Sequence, residues 1–255
     1  MPIGTPSIKV DSVKRIGGNL VDVRILGKNF DEAKAICDQI VKDEHLVYVP
    51  PFDDPFVIAG QGTIGMEILE KIPNPDAVFV QIGGGGLAAG VSEHIKGKNN
   101  PPPNTKVIGV QGVGQNSMAQ SLAAGHPVLL DDVDRFADGT AVKIPGKETF
   151  RVCQKRLDPE VILVSNDEIC AAIKDFFEGT STPCSLRKVH TDGFTDTRCI
   201  VEPSGAMALA GLKRHIADKK PVGKKFVAVI SGANMNFIRL GFVAERAELG
   251  EGREV

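Results

Sequence analysis

Four consecutive glycines, Gly83 to Gly86, stand between an apolar run at 77–82 (Ala-Val-Phe-Val-Gln-Ile) and a helix-like stretch that starts with Leu87. A buried strand that passes through glycines straight into a helix presents several unhindered N–H groups at a positive helix end. That is an anion site, and phosphate is its usual guest. No side chain is on offer, so the backbone must do the binding. The ordinary alternative is a flexible turn, but four glycines cost more backbone entropy than such a turn requires. The run is not a Walker loop, because no Gly-Lys-Ser/Thr follows. Gly83-x-Gly85-x-x-Ala88 meets the loose dinucleotide fingerprint only because contiguous glycines meet any such pattern.

The elements that must position this loop alternate along the chain. Ser7 to Ile16 reads as a helix closed by Gly17-Gly18, Val21 to Leu26 as a short strand, and Asn29 or Asp31 as the cap of a helix to about Val41. Leu46 to Val49 reads as a second strand ended by Pro50-Pro51. Ile58 to Ile72 is helical, Val78 to Ile82 is a strand, and Ala88 to Ile95 is helical again. A Pro-rich loop spans 99–104. Strands follow at Val107 to Val110 and Val161 to Val164, with helices at Ser117 to Ala124 and Lys147 to Leu157. Ser165 and Glu168 form a capping box for a helix to about Glu178. Gly205 to Ala217 is helical, and Phe226 to Ile230 is a strand that stops at Ser231-Gly232. Continuous apolar strands alternating with helices predict an α/β fold, a parallel sheet covered on both faces. Ligands on such sheets bind beyond the carboxyl ends of the strands. The glycine loop and Ser231-Gly232 both follow strand ends, so both can line one crevice.

Composition narrows the partners. The 255 residues carry a net charge of −2 and are 42% hydrophobic. That balance gives no electrostatic case for nucleic acid or an anionic membrane, and no apolar run approaches a bilayer span. Five scattered cysteines (Cys37, Cys153, Cys170, Cys184, Cys199) with no CxxC point to a reducing intracellular compartment and away from a disulfide framework or zinc. The five histidines are equally scattered, so no metal site is expected.

Six separated stretches, in order, carry a resemblance: 49–55 (Val-Pro-Pro-Phe-Asp-Asp-Pro), 58–63, 83–90, 136–143 (Phe-Ala-Asp-Gly-Thr-Ala-Val-Lys), 201–206 (Val-Glu-Pro-Ser-Gly-Ala) and 231–237. Together they closely resemble biosynthetic threonine ammonia-lyase (threonine deaminase or dehydratase), a pyridoxal 5'-phosphate enzyme of the tryptophan-synthase-β fold type (fold type II). The resemblance covers almost the whole chain. It implies that Gly83, Gly84, Gly85, Gly86 and Leu87 hold the cofactor phosphate through backbone N–H groups. It also implies that Ser231 faces the pyridine nitrogen, that Gly139 lies beside the ring, and that Glu202 lies near the ring's polar edge. A hydroxyl at Ser231, rather than a carboxylate, would leave that nitrogen unprotonated and favour elimination. The residues themselves also admit a helix cap for Ser231, a turn for Gly139 and a surface Glu capping its own helix for Glu202.

The resemblance has three departures. The family's Schiff-base lysine lies in a Ser-Phe-Lys-x-Arg-Gly-Ala-like stretch followed by Ser-x-Gly-Asn-His. Neither occurs here, and both are expected to precede Met1. Lys9 and Lys14 lie on a polar helix and are no substitutes, so no catalytic residue is assigned. Residues 179–195 interrupt the family pattern with a polar, Thr-rich segment, expected to be a poorly ordered surface loop or an artefact of the gene model. Gln111 stands where some relatives carry a Glu for a divalent cation. The expected organisation is therefore the remainder of a small β/α domain at 1–55 and a large pyridoxal-phosphate-binding domain at 56–255, without the family's isoleucine-sensing regulatory domain.

The expected reaction is L-threonine to 2-oxobutanoate and ammonia, the first step of isoleucine biosynthesis, with the 255-residue chain inactive by itself. A serine dehydratase or racemase relative, and a non-catalytic homologue that partners a complete copy, are the alternatives. The partners expected are a small amino acid, threonine or serine, and further copies of the complete protein. The expected location is the cytoplasm, or a plastid or mitochondrion if a transit peptide precedes Met1.

Overall fold

The computed structural model describes residues 1–28, 30–97, 104–179 and 197–252. The described chain falls into two compact units, 1–50 with 234–237, and 51–233 with 238 onward.

The first unit contains two helices, α1 (Ser7–Gly17) and α2 (Phe30–Asp43). α1 is closed by Gly18 at φ +52°. α2 opens at Phe30, so Asp31 lies inside it rather than at its cap, while Asn29 lies outside the described residues. Neither expected strand forms. Val21 to Leu26 and Leu46 to Val49 have no ladder, and the first segment exchanges only isolated bonds with the N-terminus, Leu26 N–H to Met1 O and Ile3 N–H to Gly27 O, each 2.8 Å. Alternating apolar residues suffice for an extended backbone, but a strand also needs a neighbour to pair with along its length.

The second unit is built on a four-stranded, all-parallel sheet in the order β3-β2-β1-β4. β1 is Ala77–Gln81, β2 Lys106–Gly112, β3 Val161–Val164 and β4 Phe226–Ala228. β1 occupies the interior, with Ala77 in register with Lys106 on one side and Phe226 on the other. The period-two alternation of a strand sends Val78, Val80 and Ile82 into one core, together with Ile58, Ala88, Val91, Phe150 and Cys153. Phe79 faces the opposite way, where the rings of His215 and Phe226 meet it edge-on at 5.2 and 5.9 Å.

Helices α3 (Pro55–Lys71), α4 (Gly86–Lys96), α5 (Ser117–Ala124) and α6 (Lys147–Arg156) serve the first core. On the other side, α7 (Asn166–Glu178) packs against both α8 (Pro203–Lys219) and α9 (Arg239–Gly250), and α8 packs onto the strands. Two helix starts have a legible cause. Asp54 accepts from Phe56 and Val57 N–H ahead of Pro55, and the Ser165–Glu168 capping box forms as expected. The Pro-rich 99–103 segment and most of 179–195 lie outside the described residues. α7 ends at Gly179 in the left-handed region, φ +66°.

Candidate functional site

The glycine loop follows β1 and leads directly into α4, at the carboxyl end of the sheet. Its carbonyls are anchored behind it. Gly84 O accepts from Thr149 Oγ1 at 2.6 Å and from Gly146 N–H at 3.3 Å. Gly85 O accepts from Ala89 N–H at 2.8 Å, with the Cys153 thiol 3.9 Å away. Burial pushes that thiol up to about 12, so it stays protonated and able to donate. In a trans peptide the next N–H points opposite to the carbonyl. The N–H groups of Gly85 and Gly86 therefore point away from α6. Among the described residues, no backbone carbonyl accepts from Gly83, Gly84 or Gly85 N–H. Gly86 and Leu87 open α4, where a first helical turn has no acceptor of its own. Five consecutive N–H donors are thus left open.

Neighbouring residues fix the loop's shape. A Cβ on Gly84 would stand 2.5 Å from the Phe52 ring. Gly85 sits at φ +100°, and a Cβ there would meet Met118 Cε at 2.7 Å and Thr149 Cβ at 2.9 Å. Phe52 and Thr149 are supported through Asp53, whose carboxylate accepts from Lys147, Glu148 and Thr149 N–H at 3.0, 2.9 and 3.2 Å and so caps α6.

Contacts connect the loop to the other residues singled out in the sequence. A Cβ on Gly83 would lie 3.0 Å from Thr140 Cα and 3.4 Å from Gly139 O, so the turn at Asp138–Thr140 abuts the loop. The absent side chain of Gly139 is explained by protein, since a Cβ there would lie 2.9 Å from Ser204 Oγ and 3.3 Å from Glu202 Oε1. Glu202 is 9% exposed and makes no side-chain cap on α8, which excludes the surface-cap reading. Its carboxylate instead fills the space beside Gly232, where a Cβ would come within 2.5 Å of Oε1, and its N–H donates to Gly232 O at 2.9 Å. Ser231, next to Gly232, is exposed, and its Oγ accepts from Gln81 Nε2 at 2.5 Å. Gln81 is the last residue of β1, two before Gly83. Gly83 to Leu87, Gly139, Glu202 and Ser231 thus form one closed circuit at one end of the sheet.

Four supporting residues were not singled out as site residues. Phe52 and Thr149 hold the loop from behind. Gln115 donates to Asp134 O and Ala137 O at 2.6 and 2.9 Å and accepts from Thr140 Oγ1 at 2.9 Å, which fixes the Gly139 turn. Gln81 was visible as the one amide in an otherwise apolar strand. Gln111 is fully buried, and its amide is engaged by Ile82 O, Gln115 O and Ala119 N–H. Among the described residues no group of three or more His, Cys, Asp and Glu side chains can hold a metal ion, and no helix is long and apolar enough to cross a membrane.

A family model described as pyridoxal-phosphate dependent enzyme matches residues 1–232. The chain belongs to this pyridoxal-phosphate-dependent family. It is 46% identical over 254 residues to the biosynthetic L-threonine dehydratase of Haemophilus influenzae, covering 100% of this chain and 45% of that protein. Over 259 residues it is 48% identical to the mitochondrial threonine dehydratase of Schizosaccharomyces pombe, covering 100% of this chain and 39% of that one. The chain therefore spans less than half the length of these relatives. Among solved structures, the processed form of threonine deaminase isoform 2 from Solanum lycopersicum superposes with a TM-score of 0.83 at 44% identity, over 98% of this chain and 62% of that chain. The pyridoxal-phosphate family assignment thus agrees with the parallel sheet and its helical layers, which are the fold-type-II architecture expected from the sequence.

Proposed function

We propose that this chain forms the greater part of the cofactor cradle of a threonine ammonia-lyase, which converts L-threonine to 2-oxobutanoate and ammonia. The observation that carries the reading is the row of five open N–H groups on the loop that belongs to the same circuit as Ser231. The donor set fits a phosphate monoester dianion. Donors at the start of an eleven-residue helix favour negative charge, and the loop itself contributes no carboxylate. On this reading Gly83, Gly84, Gly85, Gly86 and Leu87 bind the phosphate. Ser231 presents its hydroxyl to the pyridine nitrogen, and Gly139 and Glu202 form the wall along the ring's polar edge. Bound there, pyridoxal phosphate supplies an electron sink for the pair left when the amino acid loses its α-proton.

The chain's own residues bind and orient. None of the assigned residues supplies an amine, so these residues are not the source of the covalent attachment or of the base that removes the α-proton. A neutral hydroxyl donor at the ring nitrogen keeps that nitrogen unprotonated. This limits how much charge the ring withdraws and suits loss of the β-hydroxyl. The division into 1–50 with 234–237, and 51–233 with 238 onward, accords with a small-domain remnant and a cofactor-binding domain. The identities to threonine dehydratases favour threonine over serine as substrate.

The test is calorimetric titration of the 255-residue chain with pyridoxal phosphate and with pyridoxal. Saturable binding is expected for the first, at least ~10-fold tighter than for the second, because charge-assisted backbone contacts to phosphate dominate. Equal affinity for the two would remove the phosphate assignment.

A further inference from the structure

Gln81 occupies an unusual position for an amide. It closes an interior strand, is 4% exposed, and lies on the same face as Phe79, which is packed by rings. Its Nε2 donates to Ser231 Oγ at 2.5 Å, across 150 residues of sequence. Its Oε1 is buried with no hydrogen-bond partner among the described residues. The opposite amide orientation would bury an unpartnered NH2 with two donors, and orphaned donors are rarer in protein interiors than under-satisfied carbonyl oxygens. The donor is therefore the group that faces Ser231. A serine hydroxyl has one proton and two lone pairs. With the amide donating into one lone pair, the proton must be offered elsewhere. The Ser231 side chain has no other partner among the described residues and is exposed toward the carboxyl end of the sheet.

We propose that Gln81 is a positioning residue that sets the direction of the Ser231 hydroxyl proton, turning it outward as a donor to an acceptor nitrogen. The inference rests on the cofactor reading above and deepens it. The serine alone does not fix whether it donates to the ring nitrogen or accepts from it; the amide beneath it does. A carboxylate at position 81 would reverse the polarity. It would accept the hydrogen bond from the hydroxyl and leave an oxygen lone pair turned to the ring, which then favours a protonated nitrogen.

The experiment compares the 255-residue chain with Gln81→Leu, Gln81→Glu and Ser231→Ala. Calorimetry gives the affinity for pyridoxal phosphate and for its 1-deaza analogue, in which C–H replaces the ring nitrogen. The ratio isolates the ring-nitrogen bond from the phosphate grip. Ring-15N pyridoxal phosphate reports directly whether the bound nitrogen carries a proton. The original chain is expected to prefer the nitrogen ring ~10-fold and to show an unprotonated 15N resonance. Gln81→Leu is expected to lower the preference to ~3-fold, since the hydroxyl is no longer oriented. Gln81→Glu is expected to move the 15N resonance to the protonated position.

If both Gln81 variants keep the original ratio and resonance while Ser231→Ala removes the preference, the cofactor reading stands and the role of Gln81 is overturned. A ratio near one in the original chain, or no saturable binding of pyridoxal phosphate, overturns the cofactor reading and this inference with it. Should Gln81→Glu not fold, by circular dichroism, Gln81→Leu carries the test through the same two readouts. A residue that merely ties β1 to the exit of β4 would alter melting temperature in both variants and leave the 15N resonance where it was.

Discussion

The two ends of the proposed cradle are held in different ways. The phosphate end, Gly83 to Leu87, is largely buried and backed by α6: Thr149 and Cys153 approach its carbonyls, and Phe52 and Met118 fill the space where side chains would otherwise stand. The ring-nitrogen end, Ser231-Gly232, is more open to solvent and is held by two bonds, Gln81 to Ser231 and Glu202 N–H to Gly232 O. Affinity for a charged group needs many fixed dipoles, and these are expensive to reorganise. Control of one proton needs a single well-aimed donor. The first end therefore shares its energetics with the fold, whereas the second can be changed with little effect on the fold.

Substitutions sharpen that contrast. Gly85→Ala should have the largest effect. It places a Cβ at φ +100° against Thr149, and should cost ~3 kcal/mol of stability in urea unfolding, with pyridoxal phosphate affinity falling more than ~10-fold. Thr149→Val removes the hydroxyl that donates to Gly84 O, and ~1–2 kcal/mol should be lost by the same measurement, with affinity down severalfold. Equal stability of Thr149→Val and the original chain would mean that the loop is not held from behind.

Ser231→Ala should weaken pyridoxal phosphate ~3- to 10-fold while costing less stability than Thr149→Val, because the Ser231 hydroxyl is exposed and water can replace it against the Gln81 amide. A stability loss comparable to Thr149→Val would erase the distinction between the two ends.

The smallest effect concerns pH. Burial among Phe79 and Phe226 lowers the His215 pKa, so the folded state binds its proton less readily than the unfolded chain does. That contribution to stability is complete above the unfolded value near 6.5 and is lost as pH falls below it. His215→Phe should flatten the stability profile below about pH 6.5 without altering cofactor affinity. A profile that keeps its slope would place the acid sensitivity elsewhere.

Much of the sheet was legible because interior parallel strands are apolar on both faces. Val161–Val164 appears where expected, and the other three strands differ by one or two residues at their ends. The glycine loop and Ser231 could be placed at one end of the sheet because a parallel sheet sends all its strand exits the same way. Val21 to Leu26 and Leu46 to Val49 were misread because their patterns specify extension but not a partner. Glu202 was the hardest to weigh, since Glu-Pro-Ser also reads as a helix start. Only the packing of Gly139 and Gly232 against its carboxylate distinguishes the buried position. Thr149, Phe52 and Gln115 leave no local signal, because their role is to touch segments 25 to 65 residues away.

The sheet order has a consequence for synthesis. β4, last in sequence, pairs with β1, first in sequence, and the Gln81–Ser231 bond spans 150 residues. At ~5–20 residues per second, roughly 8 to 30 s pass on the ribosome between the appearance of one partner and the other. Through that interval one edge of β1, an uncharged Ala-Val-Phe-Val-Gln segment, has no strand beside it. The nascent chain is then most exposed to edge-to-edge association. The ring-nitrogen side of the proposed cradle is among the last parts of the second unit to assemble, so occupancy of the site would mark a second unit whose sheet is complete.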